Sequence, residues 1–217
     1  MKESDKKWII NRYTQRSIAE NFSENSLRSG PMYRRQIRFD NLVQIGIQPG
    51  DSVLDVGCGY GDLFGYLVNK KLLTNYVGAD INPVLLDEAR NRFPKVEFRL
   101  LDIVNDKYET FDWIVSTNSF NLKLRNQDNY EFVSQILRSA YSHSRKGVAF
   151  DFLSTYVDFY GESGFHYSPE RVFAIAKSIT KRVTLRHDYP IFEFAIYLYP
   201  DFTGWSDESR QKNRDIV

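Results

Sequence analysis

The sequence predicts a three-layer, doubly wound α/β domain. Its mostly parallel seven-stranded sheet closes with an antiparallel hairpin strand, and extra helices precede it. Three observations predict this. The apolar run Val53-Leu54-Asp55-Val56 enters a loop with glycine at every second position, Gly57, Gly59 and Gly61, and helical spacing follows. Strand-like and helix-like segments then alternate along the chain. Near the end, strand-like runs 182–188 and 192–199 are separated only by Tyr189-Pro190-Ile191. A connection that short is antiparallel, since a parallel crossover needs a dozen residues or more.

Each element has its own signal. A first helical pattern carries Ile9, Tyr13, Ile18 and Phe22. A second follows Ser29-Gly30-Pro31, with the proline suited to a first helical turn, and presents Tyr33, Ile37, Leu42 and Ile45 before Gly46 closes it. Gln48-Pro49-Gly50-Asp51 reads as a turn, so the core begins near Ile47. Strand 52–56 leads through the glycine loop to a helix with Leu63, Phe64, Leu67 and Val68. Strand 76–81 is followed by Asn82-Pro83, an N-cap and first-turn proline, and a helix with Leu85, Leu86, Ala89 and Phe93. Strands 96–103 and 111–116 come next, then a helix over 127–141 with Tyr130, Val133, Leu137 and Tyr141 on one face. Strand 147–153 precedes an aromatic segment, 154–168. A helix with Val172, Ala176 and Ile179 then leads into the terminal hairpin.

At 217 residues the chain holds one sizeable core. The expected division is an N-terminal helical cap over 1–46, a core over 47–203 and a polar tail over 204–217. Basic and acidic residues number 29 and 28, a net charge of +1, so no broad electrostatic footprint for nucleic acid or anionic lipid is expected. Arg34, Arg35 and Arg38 form a local basic cluster that reads as a solvated helix face. A lone cysteine, Cys58, cannot form an intramolecular disulfide and fits a reducing compartment. Trp8-Ile9-Ile10 sits between charges and lacks the character of a leader, and no segment suits a bilayer span. The expected location is cytoplasmic, as monomer or homodimer.

Ligands of open α/β sheets bind beyond the carboxyl ends of the strands, so those ends hold the candidates. A dinucleotide fingerprint would need glycine at Asp62; the chain offers G-x-G-x-G preceded by Asp55. Asp80 ends the second strand, where it can accept both hydroxyls of a ribose or serve the Asn82 cap. Asp102 with Ile103 ends the third, and Ser116-Thr117-Asn118 the fourth.

This constellation and the reversed final strand resemble the class I S-adenosylmethionine-dependent methyltransferases over roughly residues 47–200. The resemblance implies S-adenosyl-L-methionine as cofactor and S-adenosyl-L-homocysteine as product, with no metal. It assigns cofactor contacts to Asp55, Gly57, Cys58, Gly59, Gly61, Asp80, Ile81, Asp102, Ile103, Thr117 and Asn118, with Arg38 on the methionyl carboxylate. Asp102 and Ile103 would clamp the adenine. Cys58 is tolerated in the family and takes no redox role. Ser116-Thr117-Asn118 stands where enzymes acting on nucleobase or protein amides carry Asn-Pro-Pro-Tyr or Asp-Pro-Pro-Tyr, which disfavours those acceptors.

The implied reaction is in-line methyl displacement onto an N or O atom of a small molecule, for which the protein supplies alignment and dryness. His143 falls on the side of the sheet away from ligands. His187, as base or polar anchor, and His166, as a lid residue, fall on the ligand side, with loop packing the alternative for both. Aromatic residues of 154–168, among them Tyr156, Phe159 and Tyr160, would wall an aromatic or amphipathic acceptor. Two other readings stand beside this one: a catalytically silent cofactor-binding regulator, and an NAD(P)-dependent oxidoreductase, which the glycine spacing and the hairpin disfavour.

Overall fold

A computed structural model describes residues 1–23 and 25–201; the expected polar tail lies outside the described residues. Two helices, α1 (Glu3–Ala19) and α2 (Met32–Val43), precede β1 (Ser52–Val56). The chain continues through α3 (Asp62–Asn69), β2 (Asn75–Asp80), α4 (Pro83–Arg92), β3 (Glu97–Leu100) and β4 (Phe111–Ser116). It ends with α5 (Asn129–Ser142), β5 (Ser144–Leu153), α6 (Pro169–Lys177), β6 (Arg182–Arg186) and β7 (Glu193–Tyr199).

The seven strands form one sheet in the order β3-β2-β1-β4-β5-β7-β6. All neighbours are parallel except β7, which inserts between β5 and β6 antiparallel to both. The chain reverses its direction of winding between β1 and β4. That switch point opens a crevice at the strands' carboxyl ends.

Alternation along the strands fills both faces. One face buries Leu54, Ile114, Phe150 and Ile196 among Val133, Ile136 and Leu137 of α5 and Val172 of α6. The other buries Val53, Val115, Ala149 and Ala195 among Phe39 and Leu42 of α2, Leu63 and Leu67 of α3, and Leu86 and Ala89 of α4. Each large apolar side chain buried this way stabilises the fold by about 1.5–3 kcal/mol.

Capping fixes where the helices begin. Asn82 accepts the Val84 amide at 3.0 Å and Ser168 accepts that of Arg171 at 3.1 Å, each followed by a first-turn proline. Pro31, expected inside the first turn of α2, is instead its N-cap.

Local hydrogen bonding shortens three expected elements. The strand expected over 96–103 is Glu97–Leu100, because Asp102 folds the following chain back: its side chain accepts the Val104 amide and its carbonyl accepts those of Asn105 and Asp106. The hairpin strands retreat to Arg186 and Glu193, since the Ile191 amide bonds to the Tyr189 carbonyl and the Glu193 amide to that of Ile191. His187 therefore lies one residue beyond β6, in the connection.

The largest correction concerns α1. Ile18 is 62% exposed and Phe22 lies past the helix end, whereas Asp5 and Ser17 are fully buried. The inward stripe runs Asp5, Ile9, Tyr13, Ser17, and its polar ends are satisfied by distant groups. Asp5 accepts the Arg125 and Asn126 amides at 2.9 and 3.2 Å, and Ser17 accepts the Tyr60 hydroxyl at 2.7 Å.

Candidate functional site

The crevice beside β1 and β4 is floored by the glycine loop. The amides of Gly57 and Cys58 both donate to the Ala79 carbonyl, at 2.7 and 3.0 Å, which pins the loop to the end of β2. Gly57 takes φ +74°, and a Cβ there would stand 2.3 Å from Ser119 Oγ. Only glycine fits both conditions. Cys58 is buried at the loop's centre, where desolvation pushes its thiol up and leaves it a packing group.

Four aspartates line the crevice: Asp62, at the start of α3, and Asp55, Asp80 and Asp102, at or just beyond strand ends. Asp55 is 2% exposed; its Oδ2 accepts the Tyr76 hydroxyl at 2.7 Å, while Oδ1 has no hydrogen-bond partner among the described residues. Burial, reinforced by the charges of Asp80, Asp62 and Asp151, pushes its carboxyl up to about 7 despite the Tyr76 bond. Asp80 accepts the Asn82 amide at 2.9 Å and the Gly59 amide at 3.1 Å, so it holds the loop as well as facing the crevice. Burial lifts it to about 6 against the pull of those amides. Asp102 differs. Burial opposes its charge, but the Val104 amide, the N-terminal ammonium, Lys6 and Asn105 hold its carboxylate below the usual range.

The lips come from elsewhere in the chain. Met1, Ile9 and Tyr13 in the N-terminal helical region, together with Leu27 and Ser29, face the strand ends across the crevice. Lys6 Nζ reaches Asp102 Oδ2 at 3.2 Å, and Asn82 Nδ2 donates to the Ile10 carbonyl at 3.2 Å, so α1 is tied to the floor. Ile81, Leu101, Ile103 and Phe120 make the inner wall apolar.

Every residue expected at the cofactor lines this crevice: Asp55, Gly57, Cys58, Gly59, Asp80, Ile81, Asp102, Ile103, Thr117, Asn118 and Arg38, with the exception of Gly61. Gly61 sits one step behind, as the left-handed N-cap of α3.

The basic cluster is a correction. Arg35 and Arg38 are 4% and 5% exposed, so the helix face is not solvated. Arg35 pairs with Asp62 at 2.9 Å. Arg38 forks onto Glu193, Nε and Nη2 each at 2.6 Å, and also donates to the Ser29 carbonyl. Its charge is thus compensated within the protein, and a methionyl carboxylate would have to compete for it.

Sequence reasoning passed over three groups here: Asp151, Glu193 and Ser119. The available signal was a lone acid inside a strand-type run, as in Phe150-Asp151-Phe152 and Phe192-Glu193-Phe194. Burial and the nearby Glu193 charge push Asp151 up, although Arg38 and the bonds from Asn118 and Thr117 pull the other way.

The histidines stand outside the crevice wall. His143 caps α5 on the far side, stacked on Tyr108 with centroids 4.1 Å apart. His166 Nδ1 lies 2.8 Å from the Ser154 carbonyl, and its ring packs on Tyr160. His187 packs between Tyr156 and Phe194, with centroid separations of 5.8 and 6.1 Å. In the segment 154–168, Tyr156, Phe159 and Tyr160 are exposed, whereas Tyr167 is fully buried and belongs to the core.

This arrangement has counterparts in known proteins. Residues 53–142 match the family described as "Methyltransferase domain". The chain is 30% identical over 154 residues to "Putative methyltransferase Rv1506c" of Mycobacterium tuberculosis, which spans 67% of this chain and 90% of that protein. Magnesium protoporphyrin IX methyltransferase from Synechocystis PCC 6803, solved with bound SAH, superposes with a TM-score of 0.61 at 16% identity, covering 79% of this chain and 89% of that one. The DhpI–SAH complex superposes with a TM-score of 0.64 at 16% identity, covering 89% and 96%. At those identities the structural likeness is one of fold. Among the described residues, no helix is long and apolar enough to cross a membrane.

Proposed function

The chain belongs to the class I S-adenosylmethionine-dependent methyltransferases, and from that premise we propose that it methylates an N or O atom of a small molecule. S-adenosylmethionine, the cofactor, supplies a methyl group on a sulfonium whose departure needs little chemical help. The residues present fit it. The buried Asp55 Oδ1, unpartnered among the described residues, suits an ammonium, and Asp80 faces the crevice with acceptor capacity left over from its backbone amides for a ribose hydroxyl. Asp102 would take the adenine amino group where Lys6 yields its place, and Ile81 and Ile103 would cover the ring.

The observation that supports a small acceptor is the roof. Met1, Ile9, Tyr13 and Leu27 face the strand ends across the crevice, and α1 is fastened at Asp5, Lys6 and Asn82. That roof narrows the approach to the methyl donor, which favours a compact acceptor. The net charge of +1 and the Thr117-Asn118 turn agree with this, and the Synechocystis neighbour carries a small-molecule acceptor in its name. Alignment and exclusion of water then do most of the work, and the apolar inner wall provides the dryness. The exposed Tyr156, Phe159 and Tyr160 follow the carboxyl end of β5 and would form an outer wall for the acceptor.

The test uses the full chain with methyl-labelled S-adenosylmethionine and a cell extract separated by size. Label should enter the low-molecular-weight fraction. Label confined to protein or nucleic acid would overturn the proposal.

A further inference from the structure

The turn leaving β4 forms one wall of the cofactor crevice through Thr117, Asn118 and Ser119. Its backbone is left-handed at Asn118, φ +56°, a conformation that asparagine tolerates better than most residues with a side chain. Three braces hold it. The Ser119 hydroxyl lies 3.2 Å from the Gly57 carbonyl, tying the turn to the glycine loop. Asn121 links Asn118 Oδ1, at 3.4 Å, to the Leu153 amide, at 2.9 Å. The third is Asp151, on β5 and 3% exposed. Its Oδ1 accepts the Asn118 amide at 2.7 Å and its Oδ2 accepts the Thr117 hydroxyl at 2.5 Å.

The geometry points to Asp151 as a positioning residue for the cofactor: from behind the wall, its carboxylate sets the shape of the turn that the cofactor meets. This inference rests on the assignment of the crevice to S-adenosylmethionine. The charges around Asp151 come from several elements. Glu193 on β7, Arg38 on α2, Tyr189 in the hairpin connection and Asp55 on β1 all act on it or are acted on by it. Because Glu193 takes both arms of the Arg38 fork, the two Asp151 oxygens are left to the turn. Asp151 accepts the Asn118 amide, so removing it takes from a left-handed residue the partner of its N–H.

The experiment measures S-adenosylhomocysteine binding calorimetrically for the full chain and three variants, with ligand-free melts alongside. Asp151→Ala should weaken binding about tenfold or more. Asp151→Asn keeps an oxygen for the Asn118 amide and an NH2 for Thr117, so it should stay within about threefold of the parent. Thr117→Val loses one of the two bonds and should fall between them. Wild-type affinity in Asp151→Ala would overturn the inference. So would an Asp151→Asn variant as weak as Asp151→Ala, which would mean that charge matters and not the brace. If Asp151→Ala does not fold, parental affinity in Thr117→Val overturns it. Absence of binding by the parent chain would instead remove the cofactor assignment itself.

Discussion

Replacing Asp55 by asparagine separates the cost of its burial from its use. In the ligand-free protein the Asp55 carboxyl is raised from 3.8 to about 7, a shift of about three units, or about 4 kcal/mol between its two protonation states. The sign follows from which state binds more protons. Below the unfolded value both states hold the proton and Asp55 costs nothing. Between that value and about 7 the folded protein keeps the proton while the unfolded chain releases it, so stability falls as pH rises and then levels off. Asparagine has no such dependence and still offers an oxygen to the Tyr76 hydroxyl. The neighbouring acids are common to both proteins and largely cancel. Urea melts of the two ligand-free proteins at pH 5 and pH 8 should therefore differ in a defined way: the variant gains about 3 kcal/mol relative to the parent across that interval. Affinity for S-adenosylhomocysteine should move oppositely, with Asp55→Asn weakening binding at pH 8 by about 1.5–3 kcal/mol through loss of a charge-assisted contact. Parallel stability curves for parent and variant would refute the burial argument. Unchanged affinity would refute the assignment of Asp55 to the cofactor.

Gly57→Ala should lower stability by about 1–3 kcal/mol and weaken cofactor binding, because the new Cβ meets Ser119 Oγ at 2.3 Å on a backbone of positive φ. Adding Ser119→Gly should recover part of both losses, and a thermally unaffected single variant would show that the loop is looser than described. Lys6→Met removes the tie between α1 and Asp102, so stopped-flow association of S-adenosylhomocysteine should quicken severalfold; an unchanged rate would mean that α1 does not gate entry. His187→Ala should lower the melting temperature while leaving turnover per folded molecule within about twofold, since the ring packs on Tyr156 and Phe194 outside the crevice wall. A fall in turnover of about 10²–10⁴ would restore His187 as a general base.

What could and could not be read from the chain divides by the range of the interaction. The ends of β1 and β4 are readable because strand-type runs stop at glycine or at a polar turn within a few residues. The reversal of β7 is readable because a turn of three residues in the sequence, six in the structure, is too short for a crossover. The inward face of α1 is not, because its buried members Asp5 and Ser17 find partners 120 and 43 residues away, and hydrophobic spacing points instead to the exposed Ile18. Arg38 fails for the same reason: nothing near it in sequence announces Glu193, 155 positions later. One long-range feature did leave a local trace. Asp55, Asp151 and Glu193 are single acids within strand-type apolar runs, and all three are buried. An unpaired carboxylate in such a place is costly, so each must meet donors or a cation. Glu193 meets Arg38 and Asp151 meets the β4 turn. Among the described residues Asp55 meets only Tyr76, on one oxygen, and the deficit left on the other is why the proposed reading gives it the cofactor's ammonium.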